Sequence, residues 1–246
     1  LEFRRVLFRS GAVVYVNDEV KSIDKSEWRG VAVYVDHVEG TIHPVTFELI
    51  GKARELASKI NQPVIAVFAG CGIADKAEEL LHYGVDEVFV YDDDMLRYFR
   101  IEPYTGVIED FINKTKPSIM LIGATTIGRS LAPRVAARFK TGLTADCTVL
   151  DVKENTDLIQ IRPAFGGNIM AQIVNPNHRP QLATVRYKVM SAPERSDETH
   201  GKITVCSIDK DKLKSEIEVI KVTQKEKEVN ISDAEVIVAV GRGLKS

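Results

Sequence analysis

The sequence predicts an α/β protein: a mostly parallel sheet with helices on both faces, and antiparallel strands added after residue 145. Three observations predict it. Short, wholly apolar runs of strand length recur, as at residues 31–35 and 64–69. Between them lie segments whose apolar residues return every three or four positions, the spacing of one helix face. Glycine or proline marks most of the junctions, and strands alternating with helices feed right-handed crossovers into a parallel sheet.

The elements follow in order. Residues 28–36 hold the first buried strand, VAVYVD. Val45, Leu49, Ala53, Leu56, Ala57 and Ile60 then share a helix face, with Pro44 suited to its first turn. Residues 64–69 form the second strand, closed by Gly70-Cys71-Gly72. Residues 73–82 are helical through Ala77, Leu80 and Leu81, and Gly84 stops them. Residues 87–91 form a third strand, 105–116 a helix with Pro117 beyond it, 118–122 a fourth strand and 129–139 a further helix. After Lys140 the rhythm changes. Residues 147–152, 158–163, 169–174 and 183–189 read as short strands in hairpins at the sheet edge, 191–201 as a polar loop, and 202–208 and 217–223 as further strands. The charged stretch 221–228 reads as a solvated linker, with a domain boundary near residues 222–232.

Composition narrows the function classes. Of 246 residues, 44% are hydrophobic and 28% charged, and the formal net charge is -2. No global basic field favours nucleic acid. No apolar run approaches the roughly 20 residues of a membrane-spanning helix, so no membrane insertion is expected. Cys71, Cys147 and Cys206 form no CxxC pair and suit a reducing, cytoplasmic setting. Residues 1–10 (LEFRRVLFRS) have no consistent strand or helix period and read as an adapter scar. A strand at 235–240 followed by Gly241-Arg242-Gly243 reads as the entry to a further element, so a piece open at both ends is expected.

Few motifs could carry chemistry. Gly123-Ala-Thr125-Thr126-Ile-Gly128-Arg129-Ser130 follows a strand and opens a helix, where backbone N–H groups favour an anion. It matches the phosphate-loop pattern except that Arg129 replaces lysine, and arginine is no equivalent point charge. A packing turn, a nucleotide turn and a partner interface all stay open for Gly123, Thr125, Thr126, Gly128 and Arg129. Arg134 and Arg138 share a helix face that is either solvated or a partner surface. Gly166 and Gly167, after Arg162-Pro-Ala-Phe, read as a hairpin turn needing positive φ. The five histidines are scattered, and Asp92-Asp93-Asp94 lacks the rest of a calcium loop, so no metal is expected. No Ser/His/Asp or Cys/His pairing suggests a catalytic residue. Arg242, between two glycines after an apolar run, leaves a planar cation free to approach a flat ligand.

With these residues in hand, the chain resembles the electron transfer flavoprotein alpha subunits, the family that includes FixB. The resemblance runs from about residue 28 to 246. It is carried by VAVYVDHVEGTIHPVTFELIGKARELA (31–57), GATTIGRSLAPRVAARFKTGLTADCT (123–148), RPAFGGNIMA (162–171), RPQLATVR (179–186) and residues 238–246. It implies a Rossmann-like N-terminal domain over residues 28–222. Residues 223–246 would be the linker and first strand of a truncated FAD-binding domain. The cofactor would be FAD, and the partners a beta subunit and dehydrogenases such as acyl-CoA dehydrogenase. The subunit would carry electrons rather than act as an enzyme. Arg242, flanked by Gly241 and Gly243, takes the position that contacts the flavin ring, where a cation favours the reduced anionic ring. The other FAD contacts of the family lie downstream of Ser246. The turn at 123–130 aligns with a nucleotide-binding turn of the beta subunit, a duty the resemblance gives up in alpha subunits.

Residues 11–27 read as a linker, and Gly11–Val20 (GAVVYVNDEV) resembles the tail of a ferredoxin module. That implies an iron–sulfur cluster in an upstream module and an electron-bifurcating type from an anaerobe. The alternative is a stand-alone adenine-nucleotide-binding α/β module. A third reading, a nicotinamide dehydrogenase, lacks its fingerprint, because Asp-His-Val-Glu-Gly rather than GxGxxG follows the first strand.

Overall fold

The computed structural model describes residues 23–223, the backbone of Val6–Arg9 (β1) and Ala12–Tyr15 (β2), and residues 231, 234, 236–241 and 243. Two compact units divide the chain, Leu1–Glu216 and Ile217–Ser246.

In the first unit seven parallel strands form one sheet. In chain order these are β3 (Val31–Tyr34), β6 (Val64–Gly70), β7 (Glu87–Asp92), β8 (Ile119–Gly123), β9 (Leu143–Cys147), β13 (Gln181–Val185) and β14 (Lys202–Val205). Their spatial order is β14-β7-β6-β3-β8-β13-β9, and every adjacent pair runs parallel. Two small strands, β4 (His37–Val38) and β5 (Thr41–Ile42), make a hairpin between β3 and the first helix.

Helices cover both faces, and the central strand shows why. Successive strand residues point to opposite sides. Val31, Val33 and Val35 enter the core under α1 (Val45–Ile60), with Leu49, Ala53 and Leu56. Ala32 and Tyr34 enter the other core, with Ile108, Phe111 and Ile112 of α3 (Ile101–Thr115) and Leu131 and Val135 of α4 (Thr126–Arg138). A strand buried on both faces must be apolar throughout, which is why these runs do not alternate. Each large side chain so buried stabilises the fold by about 1.5–3 kcal/mol.

Several elements differ from the sequence reading. Residues 73–82 give only a 3-10 turn at Ala74–Lys76 and the four-residue α2 (Glu78–Leu81). α3 starts at Ile101, because Pro103 sits in the first turn, where its missing N–H has no partner to lose. α4 starts at Thr126, capped by Thr125. The predicted strand 147–152 is broken: β9 ends at Cys147 in the parallel sheet, and β10 (Val149–Val152) begins a separate one. The antiparallel strands are real, but they do not extend the main sheet. β10, β11 (Leu158–Ala164) and β12 (Ile169–Val174) form their own three-stranded sheet, whereas β13 and β14 join the main sheet in parallel.

At the start of the chain, β1 pairs with β2, so residues 6–9 do form a strand. Residues 191–200 are loop, as expected. In the second unit no strand forms at 217–223 or among described residues 236–240, which are exposed. An apolar run becomes a strand only when another edge satisfies its backbone, and among the described residues no strand pairs with 218–223 or 236–240.

Candidate functional site

The chain leaves β3 toward β6 and β7, then returns to the other side of β3 as β8. The loops after β3 and β8 therefore diverge at a topological switch point, where open α/β sheets bind ligands. Here the chain's own groups fill it. Asp36, directly after β3 and 3% exposed, accepts a very short hydrogen bond from the Thr125 hydroxyl. Thr125 is the N-cap of α4, and its Oγ1 also accepts the Gly128 N–H at 3.0 Å. The Asp36 N–H donates to Thr46 Oγ1 at 3.1 Å, tying the site to the first turn of α1. Burial raises the Asp36 carboxyl above its ordinary range, against the lowering pull of Thr125, His43 and His37.

Two histidines flank this carboxyl. His37 Nδ1 accepts the Gly40 N–H at 3.0 Å, so Nε2 carries the proton and donates to Ala69 O at 2.7 Å. Burial lowers the His37 pKa and favours the neutral ring. His43 Nδ1 accepts the Val45 N–H at 3.1 Å, and its ring meets Tyr187 edge-on at 5.2 Å.

The 123–130 turn is tightly closed. A Cβ on Gly128 would lie 1.8 Å from Gly123 O, and one on Gly123 would lie 2.7 Å from Val45 Cγ1. The Ala124 N–H is used by Val185 O at 2.7 Å. Arg129 Nε donates to Ala124 O at 2.9 Å, and its guanidinium pairs with Asp146 at 3.0 Å. Arg186 reaches the same carboxylate at 3.4 Å. Thr126, the first residue of α4, is exposed, and its carbonyl accepts from the Ser130 hydroxyl at 3.0 Å. The structure thus gathers Gly123, Thr125, Thr126, Gly128 and Arg129 into one turn. It also adds Asp36, which the motif search passed over. The signal was an acid at the carboxyl end of the central strand, where only the absence of glycines was read.

That addition changes the chemistry of the turn. The positive end of a helix attracts an anion. Here a side-chain carboxyl already stands there, and the Gly128 amide is already used. A phosphate brought to the same place would meet Asp36 and would find two of the turn's N–H groups engaged.

Elsewhere along this edge, Asp92 accepts the N–H groups of Gly72, Ile73 and Ala74 at 2.7, 2.9 and 3.1 Å. Asp93 caps the 3-10 turn Asp94–Leu96 through Met95 N at 2.9 Å, so these two acids organise loops. Among the described residues no three His, Cys, Asp or Glu side chains converge as a metal site. Cys147 is buried, which pushes its thiol up to about 12. On the outer face of α4, Arg138 pairs with Glu109 at 3.4 Å. In the second unit Gly241 and Gly243 are exposed, while Arg242 lies outside the described residues.

Residues 31–211 match the family described as the Electron transfer flavoprotein domain. The chain is 64% identical over 235 residues to the Lactate dehydrogenase (NAD(+),ferredoxin) subunit LctC of Acetobacterium woodii, covering 96% of this chain and 56% of that protein. It is 42% identical over 228 residues to the Electron transfer flavoprotein subunit alpha of Megasphaera elsdenii, covering 91% and 67%. It is also 42% identical over 223 residues to the Protein FixB of Clostridium saccharobutylicum, covering 90% and 66%. The chain therefore spans little more than half of the first relative and about two thirds of the other two.

Proposed function

This chain belongs to the electron transfer flavoprotein family, among its alpha-subunit and FixB relatives, and from that premise we propose that it works as the alpha subunit of a cytoplasmic flavoprotein heterodimer. With a beta subunit it carries electrons through FAD between a dehydrogenase and an acceptor. The single observation that carries this reading is the 42% identity, over 91% of the chain, to a protein named electron transfer flavoprotein subunit alpha. The name of the Acetobacterium woodii relative supports a finer reading, in which the dehydrogenase is of the hydroxyacid class and electrons are bifurcated between NAD and ferredoxin. An acyl-CoA dehydrogenase is the other partner class we propose.

The FAD-facing residues we propose are Gly241, Arg242 and Gly243. When bound, FAD supplies the electron-accepting and electron-releasing ring. The Arg242 guanidinium, charged at any working pH, favours the negatively charged reduced ring over the neutral oxidised one. The domain before it supplies a rigid body rather than a second nucleotide site. Asp36 and the closed 123–130 turn weigh against the alternative of a stand-alone adenine-nucleotide module. The ferredoxin-like tail at 11–20 supports an iron–sulfur module ahead of it, and a reading frame without a cysteine run there removes that part.

The test is electron flow. The full-length protein, co-expressed with its beta subunit, is mixed with its dehydrogenase and substrate under anaerobic conditions, and the flavin absorbance is followed. Bleaching that depends on the dehydrogenase supports the carrier reading, and a preparation without flavin overturns it. In the same complex, Arg242→Ala should make the flavin potential more negative. An unchanged potential takes Arg242 out of the site.

A further inference from the structure

The hairpin between β3 and α1 hangs on one imidazole ring. β4 and β5 pair only His37 with Ile42 and Val38 with Thr41, and they join no other sheet. Two pairs do not keep a hairpin closed in water, so contacts from outside must do so. The base is closed by the His43 N–H, which donates to Asp36 O at 2.8 Å. The tip, Glu39-Gly40, turns at φ values of 49° and 79°. The His37 ring joins that tip to the main sheet. Its Nδ1 accepts the Gly40 N–H at 3.0 Å, and its Nε2–H donates to Ala69 O of β6 at 2.7 Å. Among the described residues, the tip's other outward hydrogen bond is a long one, from Lys76 Nζ to Glu39 O at 3.4 Å.

The ring is seated so that it cannot turn over. Phe68 meets it edge-on at 5.1 Å. A Cβ on Gly70 would lie 2.8 Å from its Cε1 and 2.9 Å from its Nε2, so a glycine is needed beneath it. A neutral imidazole offers one donor and one acceptor, and here both are used. A further proton can go only to Nδ1. There it would face the Gly40 N–H, donor against donor, while the Nε2–H bond to Ala69 survives. Protonation therefore expels the tip and leaves the ring on β6.

The surrounding charges are few. β6 presents only apolar residues and glycine (VIAVFAG). Asp36 stands next to the ring in the chain, and Glu39 is exposed on the hairpin itself. Lys76, on the 3-10 turn Ala74–Lys76, lies under the tip, where a Cβ on Gly40 would be 2.6 Å from its Nζ. Burial lowers the ring's pKa. The bond to Ala69 and the charge of Asp36 pull it up, and Lys76 pushes it down again.

We propose that His37 is a proton-released strut: neutral, it ties the β4–β5 tip to β6, and protonated, it lets the tip go. The hairpin lies at the carboxyl edge of the sheet, between Asp36 and α1, so acid loosens the edge that Asp36 and Thr125 close. In the freed hairpin the ring titrates as an ordinary histidine, near pH 6.5. In the closed hairpin it titrates lower. Opening therefore rises about tenfold per pH unit as pH falls from about 6.5 toward the closed-state value, and levels off below it.

The test is nuclear magnetic resonance on the full-length protein with labelled histidine, glycine and valine. The His37 ring should show the Nε2–H tautomer at pH 7.5. Protection of the Gly40 amide, with the intrinsic pH dependence of exchange divided out, should fall with that tenfold slope. The Val35 amide, bonded to Val67 O in the main sheet, should keep its protection. His37→Gln keeps a hydrogen-bond acceptor but cannot titrate, so Gly40 protection should lose its pH dependence. Lys76→Met removes the opposing charge, so the His37 midpoint should rise. A ring protonated on Nδ1 at pH 7.5 overturns the proposal. So does Gly40 protection that stays constant between pH 7.5 and 5.5, or that keeps the wild-type slope in His37→Gln. If His37→Gln does not fold, an unshifted midpoint in Lys76→Met decides against it.

Discussion

Gly128→Ala is the sharpest probe of the closed turn. In an isolated helix this exchange stabilises, by about 1 kcal/mol. In this protein the new methyl would lie 1.8 Å from Gly123 O and 2.9 Å from Ile122 Cγ2. An ordinary carbon–oxygen contact is about 3.3 Å, so the first turn of α4 must retreat by roughly 1.5 Å. The retreat would stretch the Thr125–Gly128 cap and the Thr125–Asp36 hydrogen bond together. Overpacking costs about 1–3 kcal/mol, and loss of the cap about 1 more. Against the helix gain of about 1 kcal/mol, the net is a loss of about 1–3 kcal/mol. For a unit of this size that lowers the melting midpoint by roughly 2–12 °C. Calorimetry on the variant and on Gly123→Ala measures it. Gly123→Ala presses on the Val45 side chain rather than on backbone and should cost less. An unchanged or raised midpoint for Gly128→Ala would refute the close approach of α4 to β8.

Three further substitutions probe buried polar contacts. Asp157→Asn should destabilise by about 3–5 kcal/mol, because Arg179, whose side chain is fully buried, loses its counter-charge at 2.9 Å. Burial alone would raise the Asp157 carboxyl, but hydrogen bonds from Lys25 and Arg179 hold it below its ordinary value. Wild-type stability from this group is therefore present above about pH 4 and lost as pH falls through the depressed value, a loss that urea titrations should find absent in the variant. Asp36→Asn should behave in the opposite sense. The Asp36 pKa is raised, so ionisation costs folded-state stability as pH rises from its unfolded value through its folded one. The stability of the variant relative to wild type should be greater at pH 7 than at pH 4.5, and a constant difference would contradict the burial of that carboxyl. Glu48→Gln should loosen residues 188–193, since the Glu48 carboxylate accepts the N–H groups of Lys188 and Met190 at 3.1 and 3.3 Å. A cost of about 1–3 kcal/mol and faster hydrogen exchange at those two amides are expected.

How far the sequence was readable depended on the range of the interaction. The parallel strands and α1 were legible because two-sided burial forces unbroken apolar runs and helical spacing into the residue order. The break between β9 and β10 was not. Asp146, one residue before β9 ends, stands at a φ of 59° where the β9–β13 register shifts, and nothing in an LTADCTVLDV run marks a residue that will be held there by Arg129, Arg186 and Thr184. The partners of β13 and β14 were illegible for the same reason, because parallel pairing joins residues distant in sequence. Residues 218–223 and 236–240 show the converse: a strand-like composition that finds no strand partner among the described residues stays out of any sheet.

At the candidate site the glycines and Thr125 were legible from the motif. Their meaning depended on Asp36, which lies 89 residues away from Thr125 in the chain. The motif alone could not separate a phosphate cradle from a turn closed by its own acid.

The central claim is that this chain serves a flavin carrier with a partner subunit. Native mass spectrometry of the full-length protein, co-expressed with its beta subunit, tests it most directly. The account predicts a one-to-one pair that releases FAD when denatured, with no adenine nucleotide bound to this chain alone. A chain that stays unpaired, holds AMP or ATP and releases no flavin would contradict it.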